Sequence, residues 1–448
     1  MLRPTALPWG RPRRELLLLV LVAFAALSSI YVNSTQDLSH FCLSRAIVAG
    51  ELKIDECAGN TVDRSFYNGH FFSNKAPGLS LIAIPAVEAV RLPTGSKWNA
   101  EADLHLWGVR LLTNGIAFLV CVFLIGRISE GIAPGTGAPA LVAFGLGTLI
   151  TAFAATGFDH DLTAALGFGG FVLAWARRPG LAGLAAGAAY LVEYQAAAIV
   201  LLVGAYVVLR GLRPLGRYVA GVVPGVVLSG LYSWAAFGAP WHNPHSYELN
   251  QFPGVNPHSG ILGIHFPSAH GLYLVFVHDR GLLVSSPVLV AAAAGLVLLW
   301  RRGFRAEALV AAVVAAAFVL GDTGYGDPYG GISAGPRYLI PGLPFLALGL
   351  GPAFARWRVP TAVLAGVSIV AGMALTLTWA GSENGHYRAT VWGEIVRFLT
   401  QGAGSRLYHE LTKNILVWAG PNRLVAAAIV CASAAAAFVL SLSRPERR

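Results

Sequence analysis

The sequence predicts an all-α polytopic membrane protein with about twelve transmembrane helices and amphipathic surface helices in its first extracytoplasmic loop. Of its 448 residues, 55% are hydrophobic and only 12% are charged, about half the charged fraction of soluble domains. Apolar runs of roughly 17 to 25 residues recur along the chain, and helices of that length cross a bilayer. Several loops between these runs are short and rich in arginine, which is typical of cytoplasmic loops.

Ten apolar runs each predict one membrane span. They cover residues 16–32, 107–126, 138–157, 162–176, 217–237, 281–300, 305–320, 338–355, 359–379 and 423–442. An eleventh run, 181–209, is too long for one span and short for two, and Glu193 and Gln195 lie at its middle. We therefore predict a hairpin of two short helices that turns at 190–195, which brings the count to twelve.

The orientation of these spans follows from where the arginines lie. Short basic clusters occur at RPRR (11–14), ARR (176–178), RGLRPLGR (210–217), RRGFR (301–305) and ARWR (355–358). Because such loops stay in the cytoplasm, we expect both termini there and the long loops near 33–106, 238–280 and 380–422 outside. The net charge of +10 is scattered rather than gathered on one solvated face, so it does not indicate a nucleic-acid partner.

Asp37 follows the first span closely, in STQDLSHFCLSRAIVAGEL at 34–52. The pattern predicts an amphipathic helix on the outer membrane surface, with Leu38, Phe41, Leu43 or Cys42, and Ile47 on its apolar side. At the boundary between water and lipid, Asp37 can act as a general base on a hydroxyl, or it can cap this helix. Both roles are open at the level of the sequence.

Two of the four cysteines lie in this same loop. Cys42 and Cys57 are fifteen positions apart, in what we expect to be an oxidising compartment, and either form a disulfide or remain free thiols. Cys121 and Cys431 lie in apolar spans, where a thiol behaves as a small hydrophobic group.

Lys75 opens the stretch KAPGLSLIAIPAVEAVRL at 75–92, whose apolar part is too short for a comfortable span. We predict a second surface helix over 77–91, because Pro77 suits a first helical turn. Lys75 at its mouth suits a phosphate held at headgroup depth. The alternative is a lysine that reaches bulk lipid headgroups.

The motif GFDHD at 157–161 places Asp159, His160 and Asp161 at the mouth of two spans. Acids so close to apolar segments are costly, which indicates a role, although Asp161 can also stabilise the start of the next helix. Together with Asp37, these acids suit a base and a clamp for a substrate hydroxyl, or a divalent cation held by Asp37, Asp159 and Asp161. Nothing in the sequence requires a cofactor.

Six histidines in the later outer loop are weaker metal candidates because they lack tight ligand spacing. They are His242, His245, His258, His265, His270 and His278.

A glycine-rich segment, GDTGYGDPYGGISAGPRYLIPGLP at 321–344, ends in Arg337 and Tyr338 at the start of a span. Irregular backbone at membrane depth is tolerated where it lines a cavity. With Arg280 in FVHDRGLLVSSP and Arg110 at the head of the second span, the outer face offers several cations near one level, which suits an anionic ligand.

The order of these motifs resembles the GT-C superfamily of integral-membrane glycosyltransferases. The first-loop acid, the surface helix, Lys-Ala-Pro-Gly, the arginine that opens the second span, the short acidic loop and Gly-Pro-Arg-Tyr-Leu occur in that order. The bacterial branch related to aminoarabinose transferases and protein O-mannosyltransferases is the most similar. The resemblance covers about residues 1–355, which predicts a catalytic module there, including the loop 33–106, followed by C-terminal helices over 356–448 with the loop 380–422.

The resemblance implies a multi-pass protein of a bacterial-type inner or plasma membrane that uses a polyprenyl-phosphate-linked sugar at its extracytoplasmic face. Asp37 matches the acid that acts as general base, Asp159 or Asp161 the second acidic site, and Lys75 the lysine that contacts the donor phosphate. The acceptor is a glycan, lipid or protein hydroxyl. Ala-Pro follows Lys75 where aminoarabinose enzymes have Pro-Pro, and Glu193 stands where they have lysine, so sugar and acceptor stay open.

Two other functions share this surface chemistry. A transporter or flippase of lipid-linked saccharides also needs an apolar groove and outward cations, but transporters commonly carry internal repeats and midplane polar groups. No repeat is visible here, and Glu193 is the single acid predicted deep in the membrane. A polymerase or ligase of lipid-linked glycans differs mainly in the size of the sugar moved.

Overall fold

The computed structural model describes residues 12–31, 33–90, 104–249, 264–331, 333–378, 390–413 and 416–443. This part of the chain is mostly helical, with one two-stranded antiparallel sheet. The helices in the first half are α1 (Pro12–Leu27), α2 (Thr35–Val48), α3 (Gly78–Val90), α4 (Leu104–Arg110), α5 (Ile116–Ile132), α6 (Gly137–Gly147), α7 (Ile150–Phe153), α8 (His160–Trp175), α9 (Pro179–Val192), α10 (Ala197–Val208) and α11 (Leu212–Phe237).

The second half of the described chain contains three long helices and seven shorter ones. They are α12 (Ala269–Phe276), α13 (Leu282–Ser285), α14 (Val288–Arg301), α15 (Arg305–Thr323), α16 (Leu343–Ala347), α17 (Leu350–Arg356), α18 (Arg358–Thr378), α19 (Val391–Gln401), α20 (Arg406–Lys413) and α21 (Arg423–Leu442). The strands are β1 (Arg64–Tyr67) and β2 (His70–Ser73), and a π-helical turn, Leu111–Gly115, joins α4 to α5.

Five helical segments in the described residues are long and apolar enough to cross a membrane, so the chain is an integral membrane protein. They are Leu104–Ile132, Leu212–Phe237, Arg305–Thr323, Arg358–Thr378 and Val417–Leu442. A sixth span is reached if Arg337–Ala347 and Leu350–Arg356, which meet at 53°, cross together. Each predicted span overlaps at least one helix, but the other helices are shorter, so the count of twelve stays a prediction.

The long apolar run 181–209 is broken at Glu193. Helix α9 ends at Val192, Glu193 is extended with φ −150° and ψ 123°, and a 3₁₀ turn over Tyr194–Ala196 leads into α10. The break lies inside the predicted turn. Helix α9 packs closely on α11, since a Cβ atom on Gly187 would clash with the backbone of Val222.

The prediction of an amphipathic surface helix after the first span is wrong in one respect, because both sides of the helix are buried. Helix α2 buries its polar residues Ser39, His40 and Ser44 as well as its apolar ones. Helix α3 covers that polar side, where Ser44 Oγ donates to the Ser80 carbonyl at 2.8 Å and His40 Nδ1 lies 3.2 Å from Ser80 Oγ. For α3, the predicted residue Arg91 lies outside the described residues.

The apolar core lies between the long helices, and a polar region closes one end of it. Helix α1 packs on α6 and α21, and α5 packs on α6 and α8, around fully buried Phe144, Phe153 and Phe168. At the end where α1 stops and α8 begins, α2, α3 and the hairpin come together. The buried charged side chains described next gather there.

Candidate functional site

A tight β-hairpin determines the position of Lys75. Asn68 and Gly69 form its turn with φ values of 49° and 85°, which suits the Asn-Gly turn preferred between two strands. The register pairs Arg64 with Ser73, so the chain enters and leaves the sheet side by side. Asp63, one residue before β1, therefore meets Lys75, two residues after β2.

Lys75 and Asp63 form a buried ion pair. Their Nζ and Oδ1 atoms are 2.8 Å apart, and the side chains are 13% and 8% exposed. Asp63 also accepts a hydrogen bond from Thr35 Oγ1. Burial acts to raise the pKa of Asp63, but the Lys75 charge and these hydrogen bonds outweigh it and lower the pKa to about 2. Burial acts to lower the pKa of Lys75, and the charges of Asp63 and Glu248 raise it above its ordinary value.

Asp37 completes the N-terminal cap of α2, in which Ser34 is the N-cap residue. Its carboxylate accepts from the Ser34 backbone N–H at 3.0 Å, while the Ser34 hydroxyl accepts from the Asp37 N–H, which is a capping box. Arg110 Nη2 donates to Asp37 Oδ2 at 2.6 Å. The other oxygen, Oδ1, has no hydrogen-bond partner among the described residues, and a Cβ atom on Gly157 would collide with it. The capping role is therefore present, and Oδ1 is a buried oxygen that the cap does not use.

Arg110 and Arg280 hold backbone rather than facing an open site. Arg110 is fully buried and also donates to the Tyr31 carbonyl at 3.0 Å and to Asn33 Oδ1 at 2.5 Å. Arg280 donates to the carbonyls of the glycine-rich segment and lies 4.4 Å from the centroid of the Tyr329 ring. In this conformation the two guanidinium groups fasten the first loop and the glycine-rich segment.

Asp159 connects the second loop to α2. Gln36 Nε2 donates to Asp159 Oδ1 at 2.8 Å, and His40 Nε2 lies 3.7 Å from Oδ2. Burial acts to raise the pKa of Asp159, but His40 and His160 hold it below its ordinary value. The Lys75 charge acts in the same direction, so Lys75 lies in the same electrostatic neighbourhood as Asp159. Asp159 thereby links the surroundings of Asp37 and Lys75.

The three acids predicted to share a cation do not converge. Asp37 turns to Arg110, while Asp161, two residues after Asp159, is rotated about 200° from it around α8. Both Asp161 oxygens are buried and have no hydrogen-bond partner in the described ranges. Within those ranges, the ligand atoms that do converge belong to Asp159, His160 and Glu193.

The loop histidines form no such group in the part of the chain that the structure describes, and His258 lies outside it. His245 instead contacts Glu248, at 2.5 Å between Nδ1 and Oε1, and His278 lies 3.3 Å from the Tyr329 hydroxyl.

Arg337 is buried without a carboxylate partner. It is 9% exposed and forms no ion pair within 4.0 Å with any described residue. Its guanidinium lies 4.5 Å from the Phe158 ring centroid and 5.2 Å from that of Tyr338. Tyr338 in turn stands edge-on to His160, with ring centroids 5.6 Å apart. The predicted residues Arg337, Tyr338 and His160 are thus brought together.

The structure contains an apolar groove of about 720 Å³. It lies between α14, α15 and the segment after Tyr338, and every lining residue is apolar. Leu339, two residues after Arg337, is one of them, and Leu343 and Val319 continue the wall.

Sequence reasoning missed Asp63, Gln36, His40 and Glu248. The Asn-Gly turn followed by HFF was a signal for the hairpin that pairs Asp63 with Lys75. Gln36 and His40 are four residues apart and therefore share a helix face. Glu248 accepts from Asn74 at 2.6 Å, a contact between distant loops for which the sequence carries no signal.

Cys42 and Cys57 form a disulfide with Cα atoms 6.0 Å apart, which ties α2 to the segment before β1.

The fold is shared with two crystal structures of ArnT from Cupriavidus metallidurans. The apo structure aligns with a TM-score of 0.53 and 16% identity over 94% of this chain and 74% of that one. The structure bound to undecaprenyl phosphate aligns with a TM-score of 0.57 and 15% identity over 96% and 76%. An apo oligosaccharyltransferase from Archaeoglobus fulgidus aligns with a TM-score of 0.48 and 11% identity over 98% of this chain and 57% of that one. No family model and no curated protein matches the sequence. The two ArnT structures confirm the predicted resemblance at the level of the fold alone.

Proposed function

We propose that this chain is an inverting glycosyltransferase that moves a monosaccharide from a polyprenyl-phosphate donor to an acceptor hydroxyl outside the cytoplasm. One observation carries the proposal: Arg337, a buried cation with no carboxylate partner among the described residues, is followed two residues later by Leu339, which lines an apolar groove. A lipid phosphate combines an anion with a long apolar chain, so both features of the site acquire a partner.

Lys75 and Arg337 supply the positive charge for the donor phosphate. Asp63 is ion-paired to Lys75 and also acts electrostatically on Arg337, so both cations lie in the neighbourhood of one carboxylate. A phosphate that enters here exchanges part of the Asp63 contact for its own hydrogen bonds. Fixed cations stabilise the charge that grows on the phosphate as the sugar–oxygen bond breaks.

Asp37 is the proposed general base. Arg110 and the Ser34 N–H orient its carboxylate through Oδ2, which leaves Oδ1 to take the acceptor proton. The acceptor oxygen then bonds to the anomeric carbon, and the electron pair of the breaking bond leaves with the polyprenyl phosphate. A single displacement of this kind inverts the anomeric centre.

The membrane arrangement belongs to the same proposal. The chain crosses twelve times with both termini cytoplasmic, so that the hairpin, α2 and the second loop face outward and the groove receives the polyprenyl tail. The catalytic module spans 1–355, and the helices over 356–448 flank it. ArnT, which shares the fold, has been crystallised with undecaprenyl phosphate, and that supports a lipid phosphate as ligand here.

A transfer assay tests the proposal. Purified protein in lipid nanodiscs is given radiolabelled polyprenyl-phosphate sugars one at a time, with glycan, lipid and protein acceptors. We expect label to move to an acceptor with release of polyprenyl phosphate. If instead reconstituted vesicles carry the intact donor across the bilayer and no acceptor is labelled, the protein is a flippase and the proposal is wrong.

A further inference from the structure

We infer that Asp159, His160 and Glu193 form a binding site for one divalent cation. One ligand atom of each residue lies within 4.8 Å of the other two. His160 Nδ1 is 3.1 Å from Glu193 Oε1 and 3.5 Å from Asp159 Oδ1. Ligand atoms bonded at about 2.1 Å to a common cation lie roughly 3 to 3.5 Å apart, and both distances from His160 fall in that range.

The same groups are buried and lack hydrogen bonds. His160 and Glu193 are 2% and 7% exposed, yet neither ring nitrogen of His160 and neither carboxylate oxygen of Glu193 has a hydrogen-bond partner in the described chain. Their 3.1 Å contact is short enough for a hydrogen bond but is not aligned as one. Buried polar atoms without partners are rare and costly. A cation between them satisfies both side chains.

The charges of the buried carboxylates also support a cation at this site. Asp37 and Asp63 each have a basic partner, Arg110 and Lys75. Asp159 and Glu193 have no Lys or Arg within 4.0 Å among the described residues. Two buried carboxylates without such a partner are strongly unfavourable, and a doubly charged ion offsets them.

The surroundings orient the ligands. Gln36 donates to Asp159 Oδ1 at 2.8 Å, and His40 lies next to the other oxygen, which is how outer contacts usually fix a metal-binding carboxylate. A set of two carboxylates and one imidazole favours Mn²⁺ or Zn²⁺ over Ca²⁺. Because Glu193 lies at the break between α9 and α10, the ion fastens that hairpin to the second loop. The inference requires no sugar donor and does not depend on the proposed function.

The experiment measures Mn²⁺ binding to the full chain in nanodiscs after chelator treatment and without donor. Free Mn²⁺ is counted by electron paramagnetic resonance, Zn²⁺ serves as competitor, and pulsed spectra report nitrogen bound to the ion. We expect one Mn²⁺ per chain with a single nitrogen coupling that is lost in His160→Asn. Glu193→Gln weakens binding at least tenfold, whereas Glu51→Gln, which removes an exposed carboxylate outside the site, binds as the wild type does.

Three results would overturn the inference. They are no binding of Mn²⁺ or Zn²⁺ up to millimolar concentration, bound Mn²⁺ without a nitrogen coupling, and unchanged affinity in Glu193→Gln. If Glu193→Gln does not fold, the nitrogen coupling of the wild type decides the matter by itself.

Discussion

Lys75 and Asp63 form a buried ion pair of 2.8 Å although they are separated by a whole hairpin. The pairing of Arg64 with Ser73 brings them to the open end of the sheet. The ammonium is thereby held in one position before any ligand arrives, and a phosphate can bind by sharing it with Asp63.

Replacing Lys75 with alanine should weaken donor binding. A charge-assisted hydrogen bond to a phosphate contributes about 1.5 to 3 kcal/mol, so we expect Lys75→Ala to raise the Kd for a polyprenyl phosphate about tenfold to hundredfold. The control is Lys53→Ala, since Lys53 is 41% exposed and pairs with exposed Glu51. Microscale thermophoresis in nanodiscs measures both. Equal Kd values for the two variants would contradict the assignment.

The Asp63 pKa predicts a specific acid sensitivity. Because the pKa is about 2 in the folded protein against 3.8 ordinarily, the ionised carboxylate stabilises the fold by about 2 kcal/mol. That contribution is full above about pH 4 and is lost as the pH falls towards 2. Wild type should therefore unfold at higher temperature than Asp63→Asn at pH 6, and the difference should shrink between pH 4 and 2. Glu51→Gln, at an exposed site, should show no such difference, and a gap that persists at pH 2 would refute the prediction.

Asp37→Asn should impair transfer much more than donor binding. Loss of a general base lowers rates about 10²- to 10⁴-fold, while the donor Kd should change less than about threefold. Since asparagine still accepts the Ser34 N–H, the cap of α2 is retained. Single-turnover transfer and donor binding are measured on the same preparation. A rate equal to the wild type would show that another group takes the proton.

Removing the Cys42–Cys57 bridge should destabilise the first loop. A closed loop of about 15 residues contributes on the order of 3 kcal/mol, so Cys57→Ser should lower the unfolding temperature measured by scanning fluorimetry. Cys431→Ser removes an exposed free thiol and should leave that temperature unchanged. The same temperature for both variants would contradict a stabilising bridge.

Much of the helical architecture could be predicted because the length of an apolar run is a local property of the sequence. The break at Glu193 was foreseen from a polar residue in an overlong apolar run. The burial of α2 on both sides was not foreseen, because it depends on packing against α3, which is separated from α2 in the sequence by the hairpin. Hydropathy alone does not show which surface helix covers another.

The site was predicted only in part for a similar reason. Lys75, Asp159, His160 and Arg337 could be selected because charged residues beside apolar spans are unusual. Their partners depend on tertiary contacts, such as Asn74 with Glu248 across two distant loops. Arg110 was expected to face a ligand, yet it binds Asp37. The separation of these two residues in the sequence does not indicate the contact.

The central claim is that the donor phosphate lies between Lys75 and Arg337 with its tail in the groove lined by Leu339 and Leu343. Electron cryomicroscopy of the full chain in nanodiscs with a polyprenyl phosphate tests this directly. We expect phosphate density within hydrogen-bond distance of both cations and a continuous tail along α14 and α15. Phosphate density elsewhere, with Arg337 still unoccupied, would contradict it.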